Sequence, residues 1–191
     1  MPDWRDSVVI VSGLPRSGTS MMMRMLEAGG VPVLSDGVRA ADADNPKGYF
    51  EYAPVKRLKE DNAWVAEVRG KAVKIISFLM VHLPPGAPYR VLFLERDLSE
   101  VLASQRQMLL RRGEALEADD GAMGRVYQKH LTHVRNWLAK RPDIAVSYIQ
   151  YKDAIAVPRQ VAGTVNAFLG DSLDVPAMAH SVDPGLYRQR G

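Results

Sequence analysis

The sequence predicts an α/β protein of three layers, a central parallel sheet of four or five strands flanked by helices. Three observations carry that expectation. Short apolar runs with little alternation recur between longer segments of helical periodicity, and strands of this kind are buried on both faces, as in parallel sheets. The first run, VVIV at 8–11, leads into a glycine-bounded loop and then an apolar segment free of breakers until Gly29-Gly30. Nothing repeats at a fixed period, and 191 residues suffice for one full core, so residues 1–191 read as a single domain.

Composition narrows the function classes. A net charge of +3 is too small to argue for nucleic acid or a membrane surface as partner. With no cysteine in the chain, disulfides, zinc-thiolate sites and thiol nucleophiles are excluded, which suits a cytoplasmic location. No apolar stretch reaches the ~18 residues of a membrane span, and MPDWRD lacks the basic start and apolar core of a signal peptide.

Taken in order, the first strand is followed by a helix over 19–28, with Met22, Met25, Leu26 and Gly29 on one side and Arg24 and Glu27 toward water. Residues 31–34 allow a short strand that Pro32 confines to an edge. The polar, turn-rich stretch 35–54 is long for a compact domain unless it covers a site. A helix over 55–68 and a core strand over 72–77 come next, the latter with Lys74 inside an apolar run. The third strand, YRVLFL at 89–94, ends at Glu95-Arg96-Asp97 and opens a helix over 98–112 capped by Asp97 or Ser99. Ser104 lies at the edge of that helix's apolar stripe, close enough to reach back toward the strand end. A helix over 125–140 stops before Pro142, a fourth strand covers 144–148, and a last helix covers 158–169. Residues 171–191 read as irregular, and His130 and His133, one turn apart, as surface or packing histidines without further metal ligands.

The chemistry concentrates first in GLPRSGTS at 13–20. A strand, a glycine-bounded loop and a helix in that order converge backbone N–H groups on one point, a cradle for a phosphate-like anion. The glycines stand five apart, as in a Walker A loop, but Thr19 occupies the lysine position and Arg16 supplies the nearby positive charge. The alternative is an ordinary strand–turn–helix with glycines in tight turns.

Four segments together resemble the sulfotransferases that use 3′-phosphoadenosine 5′-phosphosulfate (PAPS), particularly bacterial members. GLPRSGTS is similar to the family's 5′-phosphosulfate loop, with a basic residue before Ser-Gly-Thr. FLERDLSEVLAS, with Arg96 and Ser104 eight apart, is similar to its 3′-phosphate segment. Tyr151-Lys152-Asp153-Ala154 before Pro158 resembles a Tyr-Glu-Asp-Leu…Pro segment whose tyrosine lies near the adenine, and Phe168-Leu169-Gly170 resembles the end of the next helix. The resemblance implies a P-loop-like fold and in-line sulfuryl transfer to a hydroxyl or amine without metal, leaving adenosine 3′,5′-bisphosphate. It implies donor contacts from Arg16, Ser17, Gly18, Thr19, Ser20, Arg96, Ser104 and Tyr151. Arg16 then stabilises the leaving phosphate, with Lys74 as a second cation.

The family's general base is His in some branches and Glu in others. Lys-Thr-His after the second strand is absent here, and NPKGYFE at 45–51 makes Glu51 the first candidate, with His82 and Asp36 behind it. The family's C-terminal Arg-Lys-Gly motif is also missing; Arg188 and Arg190 are the arginines placed to replace it, against the alternative of a solvated tail. Two other readings stay open: a P-loop kinase of a small molecule, and a nucleotide-binding module without catalysis. The acceptor, whether a small molecule or a carbohydrate, and the oligomeric state are not encoded in any motif.

Overall fold

The computed structural model describes residues 3–37, 48–113 and 119–186. Four strands, β1 (Val8–Gly13), β2 (Ala72–Lys74), β3 (Tyr89–Glu95) and β4 (Ile144–Gln150), form a parallel sheet in the order β2-β1-β3-β4. Register places Val11 beside Lys74, Gly13 beside Leu94 and Glu95 beside Gln150. The possible fifth strand is a single parallel bridge, Val33 to Ala72, at the β2 edge where Pro32 confines it.

The run of β-branched residues in β1 follows from this architecture. Val9 and Val11 enter one core layer and Val8 and Ile10 the other, and all four are fully buried. Each such side chain contributes about 1.5–3 kcal/mol. The first layer is completed by α1 (Thr19–Ala28), α5 (Pro158–Leu169) and α6 (Val175–His180). On the opposite face, α3 (Asp120–Leu138) and three short 3-10 segments, Ala53–Arg57, Ala63–Val68 and Ser77–His82, complete the second. Helices α2 (Leu98–Arg111) and α4 (Tyr151–Ala156) begin just beyond the ends of β3 and β4. From β1 the chain passes outward to β2 on one side, while β3 and β4 lie on the other. The ends of β1 and β3 therefore flank the crevice where such sheets bind ligands.

Several elements differ from expectation for local reasons. The helix expected over 55–68 is two 3-10 segments, Ala53–Arg57 and Ala63–Val68. Between them the Asp61 side chain accepts from the Ala63 N–H at 3.3 Å, a local bond that competes with a continuous helix. Strand β2 ends at Lys74 rather than at 77, because Ile76 leads into a 3-10 segment, Ser77–His82. Helix α3 starts at Asp120, five residues early, with the Asp119 carboxylate accepting from the Ala122 N–H as its cap. The end is not irregular throughout: Asp174 caps α6, Pro176 sits in its first turn, and Met178 is fully buried. Helix α6 packs so tightly on α1 that a Cβ at Gly29 would lie 2.7 Å from Met178.

Candidate active site

The loop from β1 to α1 is folded by its glycines and by one strained arginine. A side chain at Gly13 would meet the Ser17 hydroxyl at 2.4 Å and the Leu94 carbonyl at 2.6 Å, so the strand can end this close to β3 only with glycine. The Ser17 N–H donates to the Leu14 carbonyl at 3.2 Å, closing a tight turn. Arg16 takes φ = 70°, in the left-handed region, and Gly18 takes φ = 100° as the N-cap of α1. The first bond of α1 runs from the Met22 N–H to the Gly18 carbonyl, so the preceding amides, 18–21, lie at the positive end of the helix dipole.

A second group locks onto this loop from the end of β3. Arg96 donates through Nε to Glu100 at 2.8 Å, one helical turn on, and through Nη1 to the carbonyl of Arg16 at 3.0 Å. That contact holds the strained residue in place. Arg96 does not pair with Glu95 or Asp97; its side chain and that of Glu100 are 7% and 11% exposed. Its guanidinium stands 4.5 Å from the centre of the Tyr151 ring, and the same ring packs on Gly18, where a Cβ would lie 2.4 Å from it. Arg16 in turn donates from Nε to the Ser104 hydroxyl at 3.0 Å. Three segments far apart in sequence are thus tied together at the ends of β1 and β3. Burial pushes the Tyr151 hydroxyl pKa up, opposed by the charge of Arg96.

Beside this cluster opens a cavity of about 430 Å³ lined by Arg16, Gly18, Thr19, Ser20, Lys74, Arg96, Ser104, Tyr151 and Glu51. Among the described residues seven of its lining side chains are Lys or Arg, while Glu51 is the single carboxylate. An excess of this size within one cavity suits a ligand carrying several negative charges. The segment from 48 to 52 closes one wall. Lys74 donates through Nζ to the Tyr49 carbonyl, and the Ser20 hydroxyl donates to the same oxygen at 3.5 Å. Phe50, at φ = 50°, turns the chain so that Glu51 faces the cavity, with its Oε2 3.3 Å from Lys56.

Not every expected residue is part of this arrangement. Ser17 is 1% exposed, and its hydroxyl is buried under the loop with no hydrogen-bond partner, so it is not a donor on the cavity wall. His82 lines neither this cavity nor its neighbour. Asp36 also lies off the wall and acts as a brace: its carboxylate accepts from the Ala53 N–H at 2.7 Å, and its own N–H donates to the Glu51 carbonyl at 2.9 Å. Arg188 and Arg190 lie outside the described residues. Arg24, assigned to water by helical periodicity, lines the cavity instead. Its misassignment has a simple cause. Helix α1 is buried on most of its circumference, and on the face left over Ser20 and Arg24 look onto the cavity while Glu27, farther along, is exposed to solvent.

A neighbouring cavity of about 540 Å³ lies between β3, α2 and α3, with Glu95, Asp97 and Glu100 set against Arg96, Arg135 and Lys152. Its charge is mixed, and it lacks Lys74, Glu51 and the start of α1. His130 lines neither cavity; it stacks on Phe78 at 3.8 Å and pairs through Nε2 with the Ser77 hydroxyl at 2.9 Å. Among the described residues no group of three or more His, Asp or Glu is arranged to hold a metal ion, and no helix is long and apolar enough to cross a membrane.

A parallel sheet with a glycine loop after one central strand and an arginine cluster after the next is the arrangement of an α/β protein of P-loop-like fold, and a loop of this kind suits an anion. The sulfotransferase domain family matches residues 6–184, nearly the whole chain, and the chain belongs to that family: it is a sulfotransferase. Solved structures agree in fold. The sulfotransferase domain from the curacin biosynthetic pathway is 15% identical, over 95% of this chain and 89% of that one, with a TM-score of 0.57. Sulfotransferase STF1 from Mycobacterium tuberculosis H37Rv is 16% identical over 95% and 73%, with a TM-score of 0.58. A sulfotransferase from Alicyclobacillus acidocaldarius is 17% identical over 93% and 87%, with a TM-score of 0.52. No curated protein sequence matches the chain.

Proposed function

We propose that this enzyme transfers the sulfuryl group of PAPS to a hydroxyl or amine of a small-molecule acceptor, in line and with its charge stabilisation supplied by side chains and helix amides rather than a metal. The observation that carries the reading is the pair of cationic cradles opening on one cavity, tied together by the Arg16–Ser104 and Arg96–Arg16 bonds. A donor with an anionic group at each end needs two such cradles.

The residues divide the work by position. The amides of Gly18, Thr19 and Ser20 at the start of α1 receive the 5′-phosphosulfate, where the helix dipole favours negative charge. Arg16 and Lys74 stabilise charge that builds on the leaving phosphate oxygen. Arg96 and Ser104 hold the 3′-phosphate, and Tyr151 borders the adenine. Ser17 serves the loop's own geometry. Glu51 takes the acceptor's proton as the bond to sulfur forms: among the described residues it is the single carboxylate lining the cavity, and the Asp36 brace and the Phe50 turn fix its direction.

Thermal unfolding with adenosine 3′,5′-bisphosphate tests this. Ligand at a hundred times its Kd stabilises the native state by about 2.7 kcal/mol, and Arg16→Ala and Arg96→Ala each remove the shift. Glu51→Gln keeps the shift and loses turnover. A folded wild-type chain that shows no shift at millimolar ligand refutes the donor assignment. Full binding with no sulfation of any acceptor in a broad screen favours a binding module instead.

A further inference from the structure

Among the basic side chains of the cavity that the proposed contacts to the donor's phosphates and sulfate leave unassigned, Arg24 is the one with buried donors that have no partner among the described residues. Arg24 lies one turn beyond Ser20 on the same face of α1, about 6 Å further along the helix axis than the anion-binding end. Its Nε and Nη1 are buried from solvent and, among the described residues, have no hydrogen-bond partner. An arginine has only donors to offer, and burying them unmatched is costly, so such a group is kept in place by what it binds. Desolvation accordingly holds the Arg24 pKa below its ordinary value, against the opposing charges of Asp183, Tyr151 and Glu27.

The surroundings indicate the kind of acceptor it faces. Arg16 and Lys74 stand at the helix-end cradle, and Arg96 and Ser104 at the other. Arg24 instead shares its part of the wall with the thioether of Met21 and the ring of Tyr151, an apolar border suited to the faces of a flat heterocycle. A purine between such surfaces presents unprotonated ring nitrogens along its edge, which are acceptors without charge. We infer that Arg24 is a base-binding residue, donating through Nε or Nη1 to a ring nitrogen of the donor's purine. The inference rests on the proposed donor and adds to it the residue that reads the base.

Calorimetric titration with three probes, adenosine 3′,5′-bisphosphate, adenosine 5′-phosphate and inorganic pyrophosphate, separates the outcomes. Arg24→Met weakens both nucleotides by the same factor, about tenfold or more, because the base is common to both, and leaves pyrophosphate unchanged. Arg24→Gln, which still donates, keeps part of the affinity and serves as the second variant should Arg24→Met fold poorly. The ligand-free Arg24→Met protein melts no lower than wild type, since two buried donors without hydrogen-bond partners have been removed; a merely structural arginine gives the opposite. Loss confined to the bisphosphate assigns Arg24 to the 3′-phosphate and overturns the inference. Equal loss of all three ligands, or no loss of any, also overturns it. A wild-type chain that binds neither nucleotide refutes the donor reading and takes this inference with it, whereas nucleotide binding untouched by Arg24→Met refutes this inference alone.

Discussion

Gly18→Ala is the most informative single change to the loop, because its cost separates into two parts with a control for each. The first is conformational: φ = 100° is outside the range that alanine adopts without strain, at about 1–2 kcal/mol. The second is steric. The new Cβ would lie 2.4 Å from Cδ2 and 2.8 Å from Cε2 of Tyr151, a side chain 6% exposed with the Arg96 guanidinium beside its ring. Overpacking of this kind costs roughly 1–3 kcal/mol more. The sum, about 2–5 kcal/mol, lowers the melting temperature by roughly 4–20 °C for a chain of this size. Gly30→Ala is the matched control: its φ is 92°, and a Cβ there meets nothing within 4 Å, so it carries only the conformational part. Denaturant unfolding of both variants measures the difference. Repeating Gly18→Ala in a Tyr151→Ala background should reduce its cost to that of Gly30→Ala, since the obstructing ring is gone. Equal costs for the two glycines in the wild-type background would refute the packing of Tyr151 on the loop.

Two further outcomes follow from the geometry. Asp36→Ala removes the acceptor of the Ala53 N–H that ties down the Glu51 segment, so kcat falls by about three- to tenfold while the Kd for adenosine 3′,5′-bisphosphate stays within about twofold; a change confined to Kd contradicts the brace. His130 titrates below its ordinary 6.5, chiefly through desolvation and secondarily through the charge of His133. The unfolded chain therefore takes up this proton first, and stability is lost as pH falls below about 6.5 and through the folded value. Melting curves between about pH 5 and 7 should show a shallower slope for His130→Gln than for wild type.

The sheet and the two cradles are legible in sequence because their signals are local. A run of β-branched residues in β1 specifies burial on two faces, and Gly13, Arg16 and Gly18 carry the loop chemistry within six positions. Ser104 could be placed because helical spacing fixes its distance from Arg96. What escaped depends mostly on contacts between distant segments, with one local exception. The break at Asp61 arises where a side chain competes with the helix backbone. Asp36, considered as a base, is a brace because its carboxylate meets the Ala53 N–H, seventeen residues later. Arg24 is polar and helical, and periodicity sends such a residue to water. Only the packing of α1 reveals that Arg24, unlike the exposed Glu27, faces the cavity. Asp174 and Pro176 form a helix-start signal that could have revealed α6 in the sequence itself.

The Arg96 tie to the Arg16 carbonyl has a bearing on how this enzyme can diversify. One guanidinium both holds a strained loop and faces the basic cavity, so a substitution there disturbs the loop and the cavity wall together. That half of the cavity, which the proposed function gives to the donor, is consequently welded to the scaffold and resists piecemeal alteration. Across the cavity, Tyr52, Val55 and Leu79 come from 3-10 segments and their connections, which rest against the sheet without forming its ladder. That wall can be changed one side chain at a time while the loop and its arginine tie stay as they are, which under the proposed function separates the choice of acceptor from the hold on the donor.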